Sequence, residues 1–197
     1  MTYAALLLLA AYLIGSIPFP VIVSRLVRGV DLRQHGSGNM GALNAGRVLG
    51  KRWFPVVMLL DLSKGLVATY MALRLLPGFV GVTPLTAAAL GGFLVVAGHC
   101  FPVFAGFRGG VGLAATGGAL LVISPALFAV AGGTILAGWA LSRNMHVGVA
   151  IAALLYPAMG WLLLRDGGAV GAMTAWGLMV CLLHYRDVKA WWMERRI

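Results

Sequence analysis

Ser37, Asn39, Asn44 and Arg47 sit among five glycines in the stretch DLRQHGSGNMGALNAGRVLG, residues 31–50. Gly36, Gly38 and Gly41 let the backbone curl so that successive N–H groups converge on an anion. The serine and the two asparagines add side-chain donors, and Arg47 offers the planar fork that grips a phosphate at two oxygens. A second stretch, GHCFPVFAGFRGGVG (98–112), repeats the theme with Arg108 beside Gly109 and Gly110. A third, LLHYRDVKAWW (182–192), places His184 and Asp187 one helical turn apart. Glycine–arginine loops of this kind suit a phosphorylated, water-soluble ligand. No G-x-x-x-x-G-K-[ST] loop occurs, so nucleotide binding of that type is excluded.

The elements that must position these groups are hydrocarbon. Of 197 residues, 61% are hydrophobic and 10% charged, with a mean hydropathy of +0.95; soluble domains carry about 25% charged residues. The composition predicts an all-α, polytopic integral membrane protein in a single domain, 1–197. A lipid is therefore the natural second reactant. Apolar runs cover about 4–27, 53–76, 84–104, 113–141, 147–164 and 169–183. The first lacks a basic leader and a cleavage site, and is read as a span. Pro125 divides the fourth into 113–123 and 125–141, giving seven segments. With seven, Arg25, Arg28, Arg33, Arg47, Lys51, Arg52, Arg108, Arg143, Arg186, Lys189, Arg195 and Arg196 fall on one side, against Arg74 and Arg165 on the other. That asymmetry predicts the N-terminus out, the C-terminus in, and every polar motif on the cytoplasmic face. The net charge of +10 then belongs to membrane orientation, and no nucleic-acid partner is expected.

Other polar groups have structural readings. Asp61 and Lys64, three apart in an apolar run, are expected to pair and tether their helix to the polar loops. His99 suits interface packing and chemistry equally. Phe101, Phe104 and Phe107 fit an interfacial belt, and Trp191, Trp192, Lys189, Arg195 and Arg196 a surface anchor. Cys100 and Cys181 form no disulfide or metal pattern.

GSIPF (15–19), the 31–50 stretch, LDLSKG (60–65), the 98–112 stretch and HYRD (184–187) together resemble the bacterial acyl-phosphate-dependent glycerol-3-phosphate acyltransferases, the PlsY family, in order and spacing along the whole chain. The resemblance implies seven helices in the bacterial inner membrane with a cytoplasmic active-site face. It implies transfer of a fatty acyl group from acyl phosphate to the 1-position of glycerol 3-phosphate, giving lysophosphatidic acid and phosphate. Ser37, Arg47 and His184 match the family's catalytic positions, with Gly36, Gly38, Asn39, Gly41, Asn44, Arg108, Gly109, Gly110 and Asp187 around the substrates. Membrane lipid surrounds the site; no cofactor or metal is expected, and a monomer is.

The sequence departs from the family at three places. The family's FKGGKG reads FRGGVG here, so Val111 replaces a lysine; Asp187 stands for an asparagine, and Leu43 for the threonine of GATN. Removing one cation from a dianion site costs on the order of hundredfold in rate. An impaired member that binds lipid-phosphate intermediates is the alternative. A small transporter fits less well, because no internal repeat is present and the polar motifs gather at one face instead of the midplane.

Overall fold

A computed structural model describes residues 2–194, and among these every regular element is helical. The helices are α1 (Thr2–Gly15), α2 (Phe19–Arg28), α3 (Ala42–Leu49), α4 (Trp53–Leu75), α5 (Pro77–Val80), α6 (Pro84–Cys100), α7 (Leu113–Ile123), α8 (Pro125–Ser142), α9 (Met145–Leu164) and α10 (Gly167–Glu194). Six stretches are long and apolar enough to cross a membrane, and α7 is a shorter apolar helix. At 11 residues α7 reaches only about 16 Å. The break before α8 falls where Pro125 requires it. Ser124 is extended (φ −166°, ψ 120°), and its hydroxyl accepts from Leu127 N at 3.3 Å. Arg195 and Arg196, expected in the surface anchor, lie outside the described residues.

Two expectations need correction. The first apolar run, expected as one span over 4–27, is one candidate span over Thr2–Arg28, but not a continuous helix: it is broken into two helices at Ser16–Pro18. Ile17 and Phe19 each precede a proline, which disfavours helical backbone at the residue before it. The Ile17 carbonyl at this break accepts from Phe19 N (3.1 Å) and from the Lys64 ammonium (3.0 Å). Second, the polar 31–50 stretch is not all loop, since Ala42–Leu49 within it is α3.

Backbone-to-backbone packing dominates the interior. A methyl group on Gly15 would lie 2.1 Å from Val95 O, and one on Gly98 2.1 Å from Tyr12 O, so α1 and α6 touch main chain to main chain. Gly65 and Gly118 do the same for α4 and α7. Small residues are what permit this approach between membrane helices. Outside, large side chains such as Leu141 and Leu182 are 84% and 77% exposed, which leaves the bundle an apolar jacket. Helices α6 and α10 run parallel: Gly168 meets Thr86 near their starts, and Trp176 meets Gly92 further along. The 98–112 loop and the far end of α10 therefore share one end of the bundle. At the opposite end Asp166 accepts from Thr86 Oγ1 at 2.7 Å and from the Thr83 hydroxyl.

Candidate active site

Asn44 organises the first loop from beneath. Its side chain is 1% exposed, with Nδ2 donating to the carbonyls of His35 (3.0 Å), Asn39 (3.0 Å) and Leu32 (3.3 Å). Its Oδ1 accepts from Ser37 N at 2.9 Å. The amide expected to face substrate is thus turned inward and shapes the loop. Gly36 (φ +62°) and Gly38 (φ +72°) supply left-handed turns around it, and a Cβ on Gly36 would sit 2.2 Å from Asn44 Oδ1. Ser37 is left exposed, with its hydroxyl unbonded among the described residues. Before the turn, Asp31 accepts from Arg33 Nη2 at 2.6 Å and from Arg25 at 3.0 Å. Arg33 above all, with Arg25, holds the Asp31 carboxyl well below the usual carboxylate range; Asp31 in turn raises the Arg33 guanidinium.

The second loop is locked against the first. A Cβ on Gly109 would meet His99 O at 2.1 Å, and one on Gly110 would meet Met40 O at 2.4 Å. Only glycine lets this backbone pass between α6 and the 31–50 stretch. Arg33 Nη1 donates across to Ala105 O at 3.1 Å, and Tyr12 Oη to Phe101 O at 2.7 Å. Arg47 and Arg108 remain exposed and make no hydrogen bond or ion pair among the described residues. Beneath the two loops lies a buried ionic cluster. Lys64 Nζ is 2.9 Å from Asp61 Oδ1, and His99 Nδ1 is 3.5 Å from the same oxygen. The tethering expected of Asp61 and Lys64 takes this form.

His184 and Asp187 form a separate cluster on α10, level with the end of α6: each lies beyond the Trp176–Gly92 contact by about the same helical rise. His184 is 1% exposed, and its Nδ1 is 2.9 Å from His146 Nδ1 on α9. His146 Nδ1 also faces Asp187 Oδ2 at 3.5 Å. The structure does not join this cluster to Ser37, Arg47 or Arg108 by any hydrogen bond among the described residues. His146 escaped the sequence reading because it lies 38 residues from His184 with no motif around it. His146, His184 and Asp187 place their donor atoms within 4.8 Å of one another, a composition open to a transition metal. Two nitrogens on one tetrahedral zinc would stand about 3.3 Å apart, so the 2.9 Å contact is described better by a direct hydrogen bond.

The model of a family described as glycerol-3-phosphate acyltransferase matches residues 5–193. The chain belongs to that family. It is 40% identical to the glycerol-3-phosphate acyltransferase of Geobacillus kaustophilus over 92% of this chain and 87% of that one. With the Bacillus subtilis protein it is 48% identical, over 63% of this chain and 61% of the relative. Among solved structures it is similar to PlsY, an integral membrane glycerol 3-phosphate acyltransferase, in its glycerol 3-phosphate form: TM-score 0.82, 28% identity, 98% of this chain and 94% of that one. The lysophosphatidic acid form aligns with a TM-score of 0.84 and 27% identity, over 98% and 93%. The all-helical membrane fold of this acyltransferase family is thus shared along nearly the whole chain. Against the family motifs, Val111 is half-buried between Gly110 and Gly112, while Asp187 faces His146.

Proposed function

We propose that this chain moves a fatty acyl group from acyl phosphate to the 1-hydroxyl of glycerol 3-phosphate, a step of phospholipid synthesis. The observation that carries the reading is the pair of interlocked glycine loops with Arg47 and Arg108 exposed and unpaired beside them. Such a surface offers backbone N–H groups and two guanidinium forks to phosphate, at the edge of an apolar bundle that suits a fatty chain. The glycerol 3-phosphate and lysophosphatidic acid forms of the solved neighbours support the same substrate and product.

An acyl phosphate is a mixed anhydride with a good leaving group, so positioning and charge neutralisation are the main demands. The glycerol hydroxyl attacks the acyl carbon; the new C–O ester bond forms and the anhydride C–O bond breaks, with its electron pair leaving on phosphate. The hydroxyl proton goes to a phosphate oxygen, and His184 binds phosphate. Arg47 holds a phosphate, Arg108 helps neutralise charge, Ser37 orients a substrate oxygen, and Gly36, Gly38, Asn39, Gly41, Gly109 and Gly110 line the anion sites. Asp187 borders the site through His146. Asn44 acts one step behind, by fixing the loop. The basic end of the bundle faces the cytoplasm of a bacterial inner membrane, N-terminus out and C-terminus in, as its excess of Arg and Lys supports. All the groups invoked come from one chain, so a monomer suffices. Purified protein given palmitoyl phosphate and glycerol 3-phosphate, without ATP or coenzyme A, is expected to form lysophosphatidic acid. Release of free fatty acid alone, or no turnover, would refute the assignment.

A further inference from the structure

His184 is the buried member of the proposed site, and its hydrogen bond is to His146, a residue outside every motif so far considered. A histidine held by another histidine poses a proton question. The two Nδ1 atoms are 2.9 Å apart, so one must carry the proton and the other accept it. Asp187 decides which. Its Oδ2 lies 3.5 Å from His146 Nδ1, and a carboxylate favours an N–H on the nitrogen that faces it. The proton therefore belongs on His146 Nδ1, shared between Asp187 and His184. His184 Nδ1 accepts, which leaves the His184 proton on Nε2. That atom is buried and has no hydrogen-bond partner.

The local backbone is built to hold this arrangement. Helix α8 ends with Arg143 in left-handed backbone (φ 59°), and Asn144 then caps α9, its Oδ1 accepting from His146 N at 2.8 Å. Ser142 in the same turn accepts from Trp191 Nε1 of α10 through its carbonyl at 3.1 Å. The α8–α9 turn is thus fastened to α10 beyond Asp187, while His146 reaches His184 and Asp187 from its other side. A ring set in this way cannot swing freely. Both ring nitrogens of His184 then have defined roles: Nδ1 is occupied by His146, and Nε2 is a donor with nothing among the described residues to receive it. The titratable groups facing His184 are His146 from α9 and Asp187 from α10.

We propose that His146 is a positioning residue for the acyltransferase reaction: with Asp187 it fixes the tautomer and orientation of His184, so that Nε2–H is presented to a phosphate or carbonyl oxygen of the substrate. The aspartate that departs from the family pattern at 187 thereby has a partner of its own. This rests on the proposed acyl transfer for its kinetic consequence, whereas the tautomer can be read without turnover.

The test uses full-length protein in detergent micelles with 15N-labelled histidine. The His184 signals are identified by their loss in His184→Gln. Wild type is expected to show His184 protonated at Nε2 and His146 at Nδ1; a His184 protonated at Nδ1 would overturn the proposal. In His146→Leu the His184 tautomer is expected to become mixed. The kcat for lysophosphatidic acid formation should fall about tenfold, the value of one hydrogen bond, with KM for glycerol 3-phosphate little changed. His146→Gln, which keeps an N–H donor, should restore most of kcat. Unchanged His184 signals in His146→Leu, or no rescue by glutamine, would refute the positioning role. If wild type makes no lysophosphatidic acid, acyl transfer fails as a reading, while the NMR result still decides the tautomer.

Discussion

Replacing Lys64 by Met should be among the most damaging single changes in the bundle. The side chains of Lys64 and Asp61 are 3% and 2% exposed, and their charged atoms are 2.9 Å apart. Methionine keeps the volume but removes the ammonium. Asp61 then keeps only His99 Nδ1, at 3.5 Å, beside it among the described residues, and the Ile17 carbonyl at the α1–α2 break loses one of its two donors. Breaking a buried ion pair from one side costs about 3–5 kcal/mol. For a chain of this size that corresponds to a drop of roughly 6–20 °C in melting temperature. Removing both charges, as in Asp61→Leu with Lys64→Met, eliminates the orphaned carboxylate and should recover more than half of the loss. Thermal unfolding of detergent-solubilised wild type, single and double variants measures both effects. A single variant within about 1 kcal/mol of wild type, or a double variant no better than the single, would refute the claim that this pair is a desolvated clamp.

Arg47→Lys keeps the charge but loses the two-pronged grip on phosphate, so lysophosphatidic acid formation should fall at least tenfold; activity equal to wild type would demote Arg47 to an orientation charge. Asn44→Ala leaves several loop backbone groups without their buried partner, each worth about 1–3 kcal/mol, and should raise the KM for glycerol 3-phosphate; an unchanged KM would contradict the role of Asn44 as the loop's clasp. Val111→Lys restores a cation beside Arg108 and should raise activity most at low ionic strength, with non-additive effects alongside Asp187→Asn if the two positions share a site; strict additivity would separate them. Because the Asp31 carboxyl is held below its ordinary value of about 4, its ion pairs stabilise the fold above that pH and are lost as pH falls further. Asp31→Asn should flatten the acid limb of a stability–pH profile, and an unaltered limb would count against those pairs.

The helical plan was open to reading because its signals are physical and local. Runs of apolar residues have few ways to cross hydrocarbon, and Pro125 removes a backbone donor and disfavours helical backbone at Ser124, so the α7–α8 break falls where it was expected. The α1–α2 break was missed, although two prolines mark it, because apolarity continues across it and a span by composition hides a bend. Within the candidate site, residue type singled out Ser37 and Arg47, but not that Asn44 faces inward; sequence gives the donor and not its direction. Asp61 and Lys64 on α4 meet His99 only through the packing of α4 on α6, close enough that a Cβ on Gly91 would lie 2.4 Å from Ala72 Cβ. His146 had no local signature at all, since its meaning depends on a turn 38 residues from its partner.

The Asp166 contact with Thr83 and Thr86 lies at the end of the bundle away from the loops, and it has a mechanical meaning. It pins the starts of α6 and α10 together, through two hydroxyl donors and the backbone N–H of Ala169. Two parallel rods fastened at one end can separate only by pivoting about the pin. His184 stands 18 residues along from Asp166, about 27 Å at the helical rise. A pivot of ~5° there displaces the His184 end by ~2.4 Å over that length, close to the reach of one hydrogen bond. A small rocking motion at the quiet end would thus be geared up into a larger displacement at the end that carries the candidate site.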